Sequence, residues 1–325
     1  MTGVGGGVGQ SVLKCLQGSS YRVVGSDPDP LAAGLHAVPV AYRGQPANSP
    51  TFVEDLLTVC AAEDVSLIFP GVEPELLPLA LAAERFREAG VTPVVSSPGV
   101  VRICDDKLAT ARFLAEKGFE HPATEAFTED VDPSWFPLVL KPQRGGARSQ
   151  HTYLARDKES FHQLSELIDP DNCVIQEYLE GDEFTAGTIN WGNACHGSIV
   201  MRRTLRAGDT YKAFVDRAAP LEAYVRDIAE ALRPFGACNI QFRLRGGRPC
   251  VFEINARCSG TTYARALAGF NEPLLLADSL LIDKAPRYKI RELTVLRYWN
   301  ELVVQDDRLA ALADTGRDER PVGLL

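Results

Sequence analysis

Two adjoining strands joined by a glycine turn, residues 236–257, constrain the fold of this chain more than any other stretch. Both arms alternate apolar and polar residues, which is the period-2 pattern of a half-buried strand. The apolar face comprises Ile240, Phe242 and Leu244 on the first arm and Cys250, Phe252 and Ile254 on the second. The opposite face is mostly polar and comprises Asn239, Gln241 and Arg243, then Val251, Glu253 and Asn255. The pattern predicts an antiparallel hairpin.

The register of this hairpin depends on the turn at Gly246-Gly247. A two-residue loop would set Gln241 opposite Phe252 and would mix the two faces. Because register follows the buried face, we predict a three-residue loop over 246–248 with a glycine in the left-handed conformation. That loop pairs Gln241 with Glu253 and sets Phe242 level with Phe252.

The predicted pairing brings several oxygen-bearing side chains together. Gln241 and Glu253 would lie roughly 5 Å apart at Cβ, with Asn239 and Asn255 beside them. Carboxylate and amide oxygens suit Mg²⁺, which typically takes one or two carboxylates together with substrate phosphates. An amphipathic hairpin whose polar face meets solvent explains the same residues, so the hairpin alone leaves both interpretations open.

The composition is typical of a globular protein with about two domains. The chain has 325 residues, of which 45% are apolar and 24% are charged. A formal net charge of −9 argues against nucleic acid or an anionic membrane as a partner, since either favours a basic surface. The eight cysteines include no Cys-x-x-Cys pair, and we find neither a spanning apolar run nor a signal peptide. We therefore expect a reduced, cytoplasmic protein.

The first hundred residues alternate strands and helices and predict a parallel sheet of the Rossmann type. The predicted elements are a glycine loop at 3–9, helices over 10–17, 51–63 and 74–88, and strands over 21–27 and 65–69. A dinucleotide site with Asp27 on a ribose would suit an NAD-dependent oxidoreductase. The third glycine that such a site requires is Val8 here. We therefore interpret the glycines as residues that let the helix pack closely against the sheet. The strand that should precede the glycine loop is predicted to be very short or missing.

Residues 105–183 carry cations, glycines and an acidic turn in an order that suits a nucleotide. A helix is predicted to begin at 105–107 and to end before Gly118. Lys141 ends a short apolar strand, and the loop 143–149 contains Gly145, Gly146 and two arginines. A cation and several backbone N–H groups can surround phosphates there. The extended segment 173–184 can meet a base edge, and Glu183 can accept both ribose hydroxyls.

Three elements now stand in sequence, and together they resemble the ATP-grasp superfamily. They are Leu140-Lys141-Pro142 with its glycine loop, Gln176-Glu177-Tyr178-Leu179 followed by Glu183, and Gln241 with Glu253-Ile254-Asn255 and Arg257. The chain is similar in particular to short proteins resembling the carbamoyl-phosphate synthase large subunit and to the pyrrolysine-pathway ligase. The resemblance implies a mixed α/β and α+β fold. Its parts would be a Rossmann-like pre-ATP-grasp domain at 1–100, a small lid lobe at 101–174 and a large lobe at 175–325 with a closing strand and a polar tail.

The resemblance also implies roles for individual residues. Lys107 and Lys141, with Gly145 and Gly146, would hold the ATP phosphates. The segment Gln176, Glu177, Tyr178 and Leu179 would contact adenine, and Glu183 would bind ribose. Gln241, Glu253 and Asn255 would ligate Mg²⁺, and Arg257 would meet the transferring phosphate. One departure is Ala256, where this family commonly has proline, and it removes no ligand.

The substrate side is less legible. Residues 258–262 run into a helix, so their N–H groups could receive an anion. Arg202, Arg203 and Arg206 could pair with a carboxylate, although a solvated basic turn explains them equally well. We place Arg202 with Arg257 and Lys141 in the catalytic set. Residues 70–73 lie at the carboxyl end of a strand, where open sheets bind ligands. A closing strand is predicted over 291–304 and a polar, frayed tail over 305–325.

The resemblance implies a ligase that joins a carboxylic acid to an amine through an acyl phosphate and releases ADP and phosphate. The expected cofactors are ATP and Mg²⁺, with Mn²⁺ as an alternative, and the expected partners are a small-molecule acid and amine. A homodimer is allowed, and neither nucleic acid nor membrane is expected. The competing hypotheses are the oxidoreductase, a non-catalytic nucleotide sensor and a carbamoyl-phosphate-forming enzyme. We expect the loop 143–149 to be mobile without nucleotide and to close over ATP.

Overall fold

The N-terminal part of the chain is a parallel α/β unit, which confirms the predicted Rossmann-like sheet. The computed structural model describes residues 1–128, 130–145, 150–216 and 219–320. The N-terminal strands are β1 (Val24–Asp27), β2 (Val40–Arg43), β3 (Leu67–Ile68) and β4 (Thr92–Pro93). The helices are α1 (Gly7–Leu16), α2 (Phe52–Ala62), α3 (Leu76–Leu81), α4 (Ala83–Glu88) and α5 (Pro98–Asp105), with 3-10 turns at Ala33–Ala37 and Glu73–Glu75. Strands β1 and β2 pair in parallel, as do β3 and β4.

The first strand, predicted to be very short, consists of a bridge at Thr2. This residue forms a parallel bridge with Ser26, and its N–H donates to the carbonyl of Phe69 at 3.1 Å. Thr2 therefore links the pair β1–β2 to the segment that follows β3. The glycine loop runs directly from this strand into α1.

The next part of the chain is a four-stranded antiparallel sheet in the order β5-β8-β6-β7. Its elements are α6 (Lys107–Glu116), β5 (Thr124–Ala126), β6 (Leu138–Pro142), β7 (Tyr153–Ala155), α7 (Lys158–Ser165), a 3-10 turn at Pro170–Asn172 and β8 (Cys173–Glu177). Asp106 caps α6 by accepting the N–H groups of Leu108 and Ala109. Buried Leu138, Leu140, Phe161 and Ile175 form the core under this sheet.

The largest element is a six-stranded antiparallel sheet in the order β13-β12-β9-β10-β11-β14. Its elements are β9 (Glu183–Trp191), β10 (Ala194–Arg206), β11 (Asp209–Val215), α8 (Ala219–Leu232), β12 (Gly236–Arg245), β13 (Arg248–Asn255), α9 (Thr262–Leu267), α10 (Glu272–Ile282) and β14 (Leu293–Leu296). One face packs with Ile228 of α8 and the other with Leu276 of α10. The two sheets, with the parallel unit, give the two-lobed architecture that the sequence predicts.

The hairpin β12–β13 has the predicted Gln241–Glu253 pairing but not the predicted loop. The turn has two residues, Gly246 and Gly247, at φ 56° and 80°, and Arg245 pairs with Arg248. The three-residue loop was therefore wrong. A register shift between Gln241 and Phe242 sets Phe242 opposite Val251 instead of Phe252. This β-bulge leaves Phe252 unpaired and restores the pairing of Gln241 with Glu253. The predicted faces are wrong at two positions, because Val251 is buried in the core beside Phe242 whereas Phe252 lines the cavity.

Residues 306–318 form a helix and a strand that return to the N-terminal sheet, so the predicted frayed tail is wrong over this part of the chain. The predicted closing strand is confined to β14, which pairs with β11. Helix α11 (Asp306–Thr315) and strand β15 (Arg317–Asp318) follow, and β15 pairs with β2. Leu312 is fully buried, and Arg308 forms a buried ion pair with Asp318 at 2.9 Å. Packing and paired charges therefore hold this segment.

None of the helices in the described ranges combines the length and the hydropathy that crossing a lipid bilayer requires.

Candidate active site

A cavity of about 1120 Å³ lies where the three parts of the chain meet. The parallel unit contributes the glycine loop and residues 71–78, the four-stranded sheet contributes the end of β6, and the six-stranded sheet contributes its polar face. The predicted site residues that line it are Lys107, Lys141, Gly145, Gln176, Glu177, Tyr178, Leu179, Glu183, Gln241, Glu253 and Arg257. Most of the residues predicted from distant motifs are thus brought to one place, whereas Asn255 and Arg202 are absent from the described lining.

Two lysines place positive charge in the middle of the cavity. Lys141 at the end of β6 is buried, and its Nζ donates to Gln176 Oε1 at 2.7 Å. Burial, together with the charge of Lys107, lowers the pKa of Lys141 to about 8, although the carboxylates of Glu253 and Glu183 oppose this shift. Lys107 is the first residue of α6, and its N–H is bound by the carbonyl of Gln143. The two ammonium groups are positioned to receive an anion.

Gln241, Glu253 and Asn255 form a hydrogen-bonded group on the hairpin, which we call the polar trio. Gln241 Nε2 and Asn255 Nδ2 donate to Glu253 Oε1 at 3.1 and 2.8 Å. Burial by itself would raise the pKa of Glu253, but the charges of Lys107 and Lys141 and the hydrogen bond from Asn255 outweigh it and lower the pKa. Glu253 is therefore an anion that faces two cations.

The trio fits a hard divalent cation by its donor chemistry. It offers one carboxylate and two amides, and Mg²⁺ accepts such oxygens when phosphates complete its coordination. In this structure the amide oxygens accept from arginines instead: Gln241 Oε1 from Arg203 at 2.6 Å and Asn255 Oδ1 from Arg257 at 3.3 Å. No group of three or more His, Cys, Asp or Glu side chains suited to a metal occurs in the described part of the chain. The carboxylate–amide trio is the set that the sequence predicts.

The segment predicted to contact adenine follows β8 along the cavity wall. The side chain of Gln176 lies between Lys141 and Thr124, to which its Nε2 donates at 2.9 Å. The backbone N–H of Glu177 is bound by the carbonyl of Ala123, and that of Tyr178 by the carbonyl of Pro137. These bonds attach the segment to its neighbours while its outer edge lines the cavity.

Glu183, the predicted ribose ligand, is bridged by two arginines. Its Oε1 accepts from Arg203 at 2.6 and 3.0 Å, and its Oε2 accepts from Arg243 at 3.1 Å. Arg243 also donates to the carbonyl of Leu179 at 2.6 Å. A ribose that bound Glu183 would therefore compete with these guanidinium groups. Arg243 was not among the predicted site residues, although it lies two residues from Gln241 on the same polar face of the strand.

Arg203, and not Arg202, lines the cavity. Arg202 stacks on the ring of Phe214 with its guanidinium carbon 4.4 Å from the centroid, and its nitrogen lies 3.7 Å from Asp182. It is absent from the described lining, so its placement in the catalytic set needs correction. Adjacent residues of a strand point to opposite faces. Arg203 on β10 lies directly opposite Glu183 on β9 in the antiparallel pair of strands. A prediction that β9 and β10 pair could therefore have placed Arg203 beside Glu183.

Arg257 forms an ion pair that the sequence analysis did not foresee. Its Nε and Nη2 donate to Glu73 Oε2 at 2.9 and 2.5 Å. Burial by itself would lower the pKa of Arg257, but the charge of Glu73 outweighs it and raises the pKa. Residues 70–73 lie at the carboxyl end of a predicted strand, where open sheets bind ligands. That position is the sequence feature that could have placed Glu73 in the site. The pair joins the parallel unit to the hairpin across the cavity.

The start of the predicted phosphate loop is held by the cap of α6. Arg144 donates to Asp106 Oδ2 at 2.8 and 2.9 Å, and Gln143 donates to the same oxygen at 2.8 Å. Gly145 lines the cavity with φ 68°. Gly146, and with it residues 147–149 of the predicted mobile loop, lies outside the described residues.

Three of the N–H groups in the segment 258–262 are bound within the segment itself. The N–H of Ser259 is bound by Thr262 Oγ1 at 2.9 Å, and that of Thr261 by Ser259 Oγ at 3.2 Å. Fully buried Arg265 donates to these hydroxyls and to Glu272 at 2.9 Å. The segment therefore lines the cavity as a largely internally bonded turn with Gly260 at its surface, and the predicted anion site there stays a prediction.

The N-terminal glycine loop packs closely against the neighbouring backbone and is hydrogen-bonded to Asp27. Asp27 Oδ2 accepts the N–H of Gly5 at 2.8 Å, and Asp27 is absent from the described lining of the cavity. A Cβ at Gly9 would lie 2.2 Å from the carbonyl oxygen of Gly3. This agrees with glycines that allow close packing and gives no ribose-binding role to Asp27.

Two family models match separate parts of the chain. The model described as "PylC-like, N-terminal domain" matches residues 4–94. The model described as "ATP-grasp in the biosynthetic pathway with Ter operon" matches residues 169–301. The first covers the parallel unit and the second covers most of the six-stranded sheet.

Two curated relatives illustrate the distant similarity of this chain to known proteins. The carbamoyl phosphate synthase large chain of Streptomyces griseus is 27% identical over 235 residues, which are 65% of this chain and 21% of that protein. The D-alanine–D-alanine ligase A of Bacillus cereus is 23% identical over 260 residues, which are 70% of this chain and 85% of that protein. The chain thus spans about a fifth of the synthase.

Solved structures share the fold. The L-amino acid ligase from Bacillus licheniformis superposes with a TM-score of 0.67 at 15% identity, over 89% of this chain and 76% of that one. The N5-carboxyaminoimidazole synthetase from Staphylococcus aureus superposes with a TM-score of 0.70 at 16% identity, over 97% and 84%. None of the matches described here supports a nicotinamide-dependent oxidoreductase.

Proposed function

Since this chain carries an ATP-grasp domain behind a PylC-like N-terminal domain, we propose that it is an ATP-dependent ligase that joins a carboxylic acid to an amine. The observation that carries the proposal is the convergence of Lys107, Lys141, Glu253 and Arg257 on one cavity. These are the charges that transfer of a phosphoryl group to a carboxylate requires. The acid would become an acyl phosphate, the amine would attack it, and ADP and phosphate would leave.

ATP would bind between the two antiparallel sheets. Lys107, Lys141 and the backbone at Gly145 would receive the phosphates, and the segment 176–179 would face adenine. Glu183 would exchange at least one arginine for ribose hydroxyls. The buried position of Lys141 supports this assignment, because phosphate charge would compensate the burial of its ammonium group.

Mg²⁺ would be held by Glu253 with Gln241 and Asn255, and it would neutralise phosphate charge. The side chains of the protein would form no covalent bonds with the substrates. They would position the reactants and stabilise the charge on the transferring group. Arg257 would stabilise the transferring group, and Glu73 orients its guanidinium. Arg203 takes the place among the catalytic cations that we first gave to Arg202, because Arg203 bonds both Glu183 and Gln241.

We also propose a division of the chain into three structural units. We keep a pre-ATP-grasp unit up to about residue 100, a lid lobe to about 174 and a large lobe beyond it. We assign α11 and β15 to the first unit because β15 pairs with β2. The free state of all eight cysteines supports a cytoplasmic setting, and a homodimer stays a prediction.

A second candidate reaction is the phosphorylation of bicarbonate by ATP to carboxyphosphate and ADP, which ammonia would convert to carbamate and phosphate; a second ATP would be needed to form carbamoyl phosphate. The similarity to carbamoyl phosphate synthase large chains favours it. The same cavity groups would serve, since bicarbonate is itself a small carboxylate acceptor of phosphate. The two reactions differ in the acid that supports ADP release.

The test is ADP release measured against libraries of acids and amines, with bicarbonate and ammonia as separate arms. With acid and ATP but no amine, hydroxylamine should trap the acyl phosphate as a hydroxamate. Release of AMP and pyrophosphate as main products would indicate an adenylate and would contradict the proposal. Release of ADP only with bicarbonate would favour the second candidate.

A further inference from the structure

Several apolar side chains line the cavity beside the charged residues Glu73, Arg102 and Asp105 of the same segments. They come from the N-terminal unit and α5, and comprise Val8, Val72, Pro74, Leu77, Pro78 and Val101. We call this set the apolar wall. Pro74 is exposed, and Val8, Val72, Leu77 and Pro78 are only half buried. The wall therefore presents apolar surface that the protein itself leaves uncovered.

The apolar wall begins beside the proposed reaction centre. Glu73, which lies between Val72 and Pro74 in the chain, is bound directly to Arg257 at 2.9 Å. Arg257 in turn contacts Asn255 of the polar trio. A carboxylate held at Arg257 would therefore lie next to the segment with which the wall begins, within reach of its apolar side chains.

The backbone of this wall is held firmly. Glu75 accepts the hydroxyl of Thr2 at 2.6 Å and the N–H of Gly71 at 3.2 Å. A Cβ at Gly71 would lie 2.2 Å from the carbonyl oxygen of Thr2, and one at Gly3 would lie 3.0 Å from a methyl of Val72. The segment is thus packed against the glycine loop, so its shape is set before any substrate binds.

We infer that the carboxylic acid substrate carries an apolar side chain of about the size of leucine, and that the apolar wall seats it. This inference rests on the proposed function. A hydrocarbon group placed there leaves water and gains packing, whereas an amide of the same shape loses its hydrogen bonds to water against side chains that have none to offer. A hydrophobic pocket typically discriminates about tenfold or more per methylene.

The test measures acid binding by calorimetry in the presence of Mg²⁺ and a non-hydrolysable ATP analogue. Two shape-matched pairs are compared: 4-methylpentanoate with succinamate, and leucine with asparagine. We expect the apolar member of at least one pair to bind about tenfold more tightly than its polar match. Leu77→Asn, which keeps the branched shape, should reduce that preference about tenfold while the affinity for the nucleotide analogue stays unchanged.

Leu81→Asn is the matched control, because Leu81 lies one turn further on α3, is 63% exposed and is absent from the cavity lining. It should leave the preference unchanged. Equal binding within both pairs, no binding of any of the four acids, or an unchanged preference in Leu77→Asn would overturn the apolar seat. If the nucleotide analogue itself failed to bind, the proposed function would fail as well. ADP release that is supported only by polar acids would reject the seat alone.

Discussion

Glu253 carries negative charge in a site that also contains several cations. Lys107, Lys141 and Arg203 all favour its ionised form, and two amides donate to one of its oxygens. Removing this carboxylate would leave the lysines with less compensating negative charge, and it would leave a bound cation without the charged ligand of the trio. The polar trio therefore depends on Glu253 more than on either amide.

We predict that Glu253→Ala lowers ADP release at least about 100-fold, because the charged metal ligand is lost. Gln241→Ala should lower it less, since an amide oxygen is neutral. Both variants should need more Mg²⁺ for half-maximal rate. Glu88→Ala, an exposed glutamate on α4, is the control. Near-wild-type ADP release by Glu253→Ala would show that the metal assignment is wrong.

The lowered pKa of Lys141 predicts a pH dependence of nucleotide binding. With a pKa of about 8, the side chain is a cation below pH 8 and loses its proton as the pH rises above it. Phosphates favour the cation, so affinity for Mg-ADP should be complete below pH 8 and should fall up to about tenfold per pH unit above it.

Calorimetry between pH 7 and 9.5 measures this dependence. Lys141→Arg keeps its charge throughout, so its affinity should not fall over the same interval. A wild-type affinity that stays level to pH 9.5 would contradict the pKa or the phosphate contact.

At the scale of elements, the β12–β13 hairpin shows how a bulge sets the site. Its two-residue turn by itself would put Gln241 opposite Phe252. The extra residue at Phe252 shifts the register by one and restores the pair of Gln241 with Glu253. The three ligands of the polar trio share one face because of this shift.

We predict that Gly247→Ala destabilises the protein by about 1 kcal/mol, or roughly 2 °C in Tm, since the residue adopts φ 80°. The site of the new Cβ is open, so the cost comes from the backbone alone. Thermal unfolding measures it. Gly99→Ala in α5 is the control, because its φ is helical and a helix favours alanine. Equal Tm values for the two variants would contradict the assigned turn.

At the scale of the whole molecule, the cavity exists only because three parts of the chain meet. The ion pair of Glu73 with Arg257 joins residues 184 positions apart. The C-terminal segment returns to the first sheet, so the N-terminal unit is completed by the end of the described chain. Loss of that segment should therefore affect a region remote from it in sequence.

We predict that Asp318→Ala destabilises the protein by about 3 kcal/mol, because Arg308 would remain buried without its partner. Asp307→Ala in the same segment removes an exposed partner of Arg320 and should cost much less. Thermal unfolding of both variants, with hydrogen exchange of β2, measures the difference. Equal losses, or unchanged exchange in β2 of Asp318→Ala, would show that the tail does not support the first sheet.

The sequence by itself determined the hairpin, part of the order of elements and most of the candidate site. Alternation identified the hairpin and the face that carries Gln241 and Glu253, and the cap at Asp106 with Gly118 bounded α6. Lys141 and Glu253 could be found because strand ends and polar faces follow from neighbouring residues. Local periodicity and capping are short-range effects, so a linear chain displays them directly.

The tertiary structure alone decided the bulge at Phe252, the choice of Arg203 over Arg202, the pairing of Glu73 with Arg257 and the return of the tail to β2. Each depends on which segments, far apart in the chain, come into contact, and on which face of a strand meets the cavity. Several alternatives have similar local patterns, and only the packing of the assembled sheets separates them in free energy.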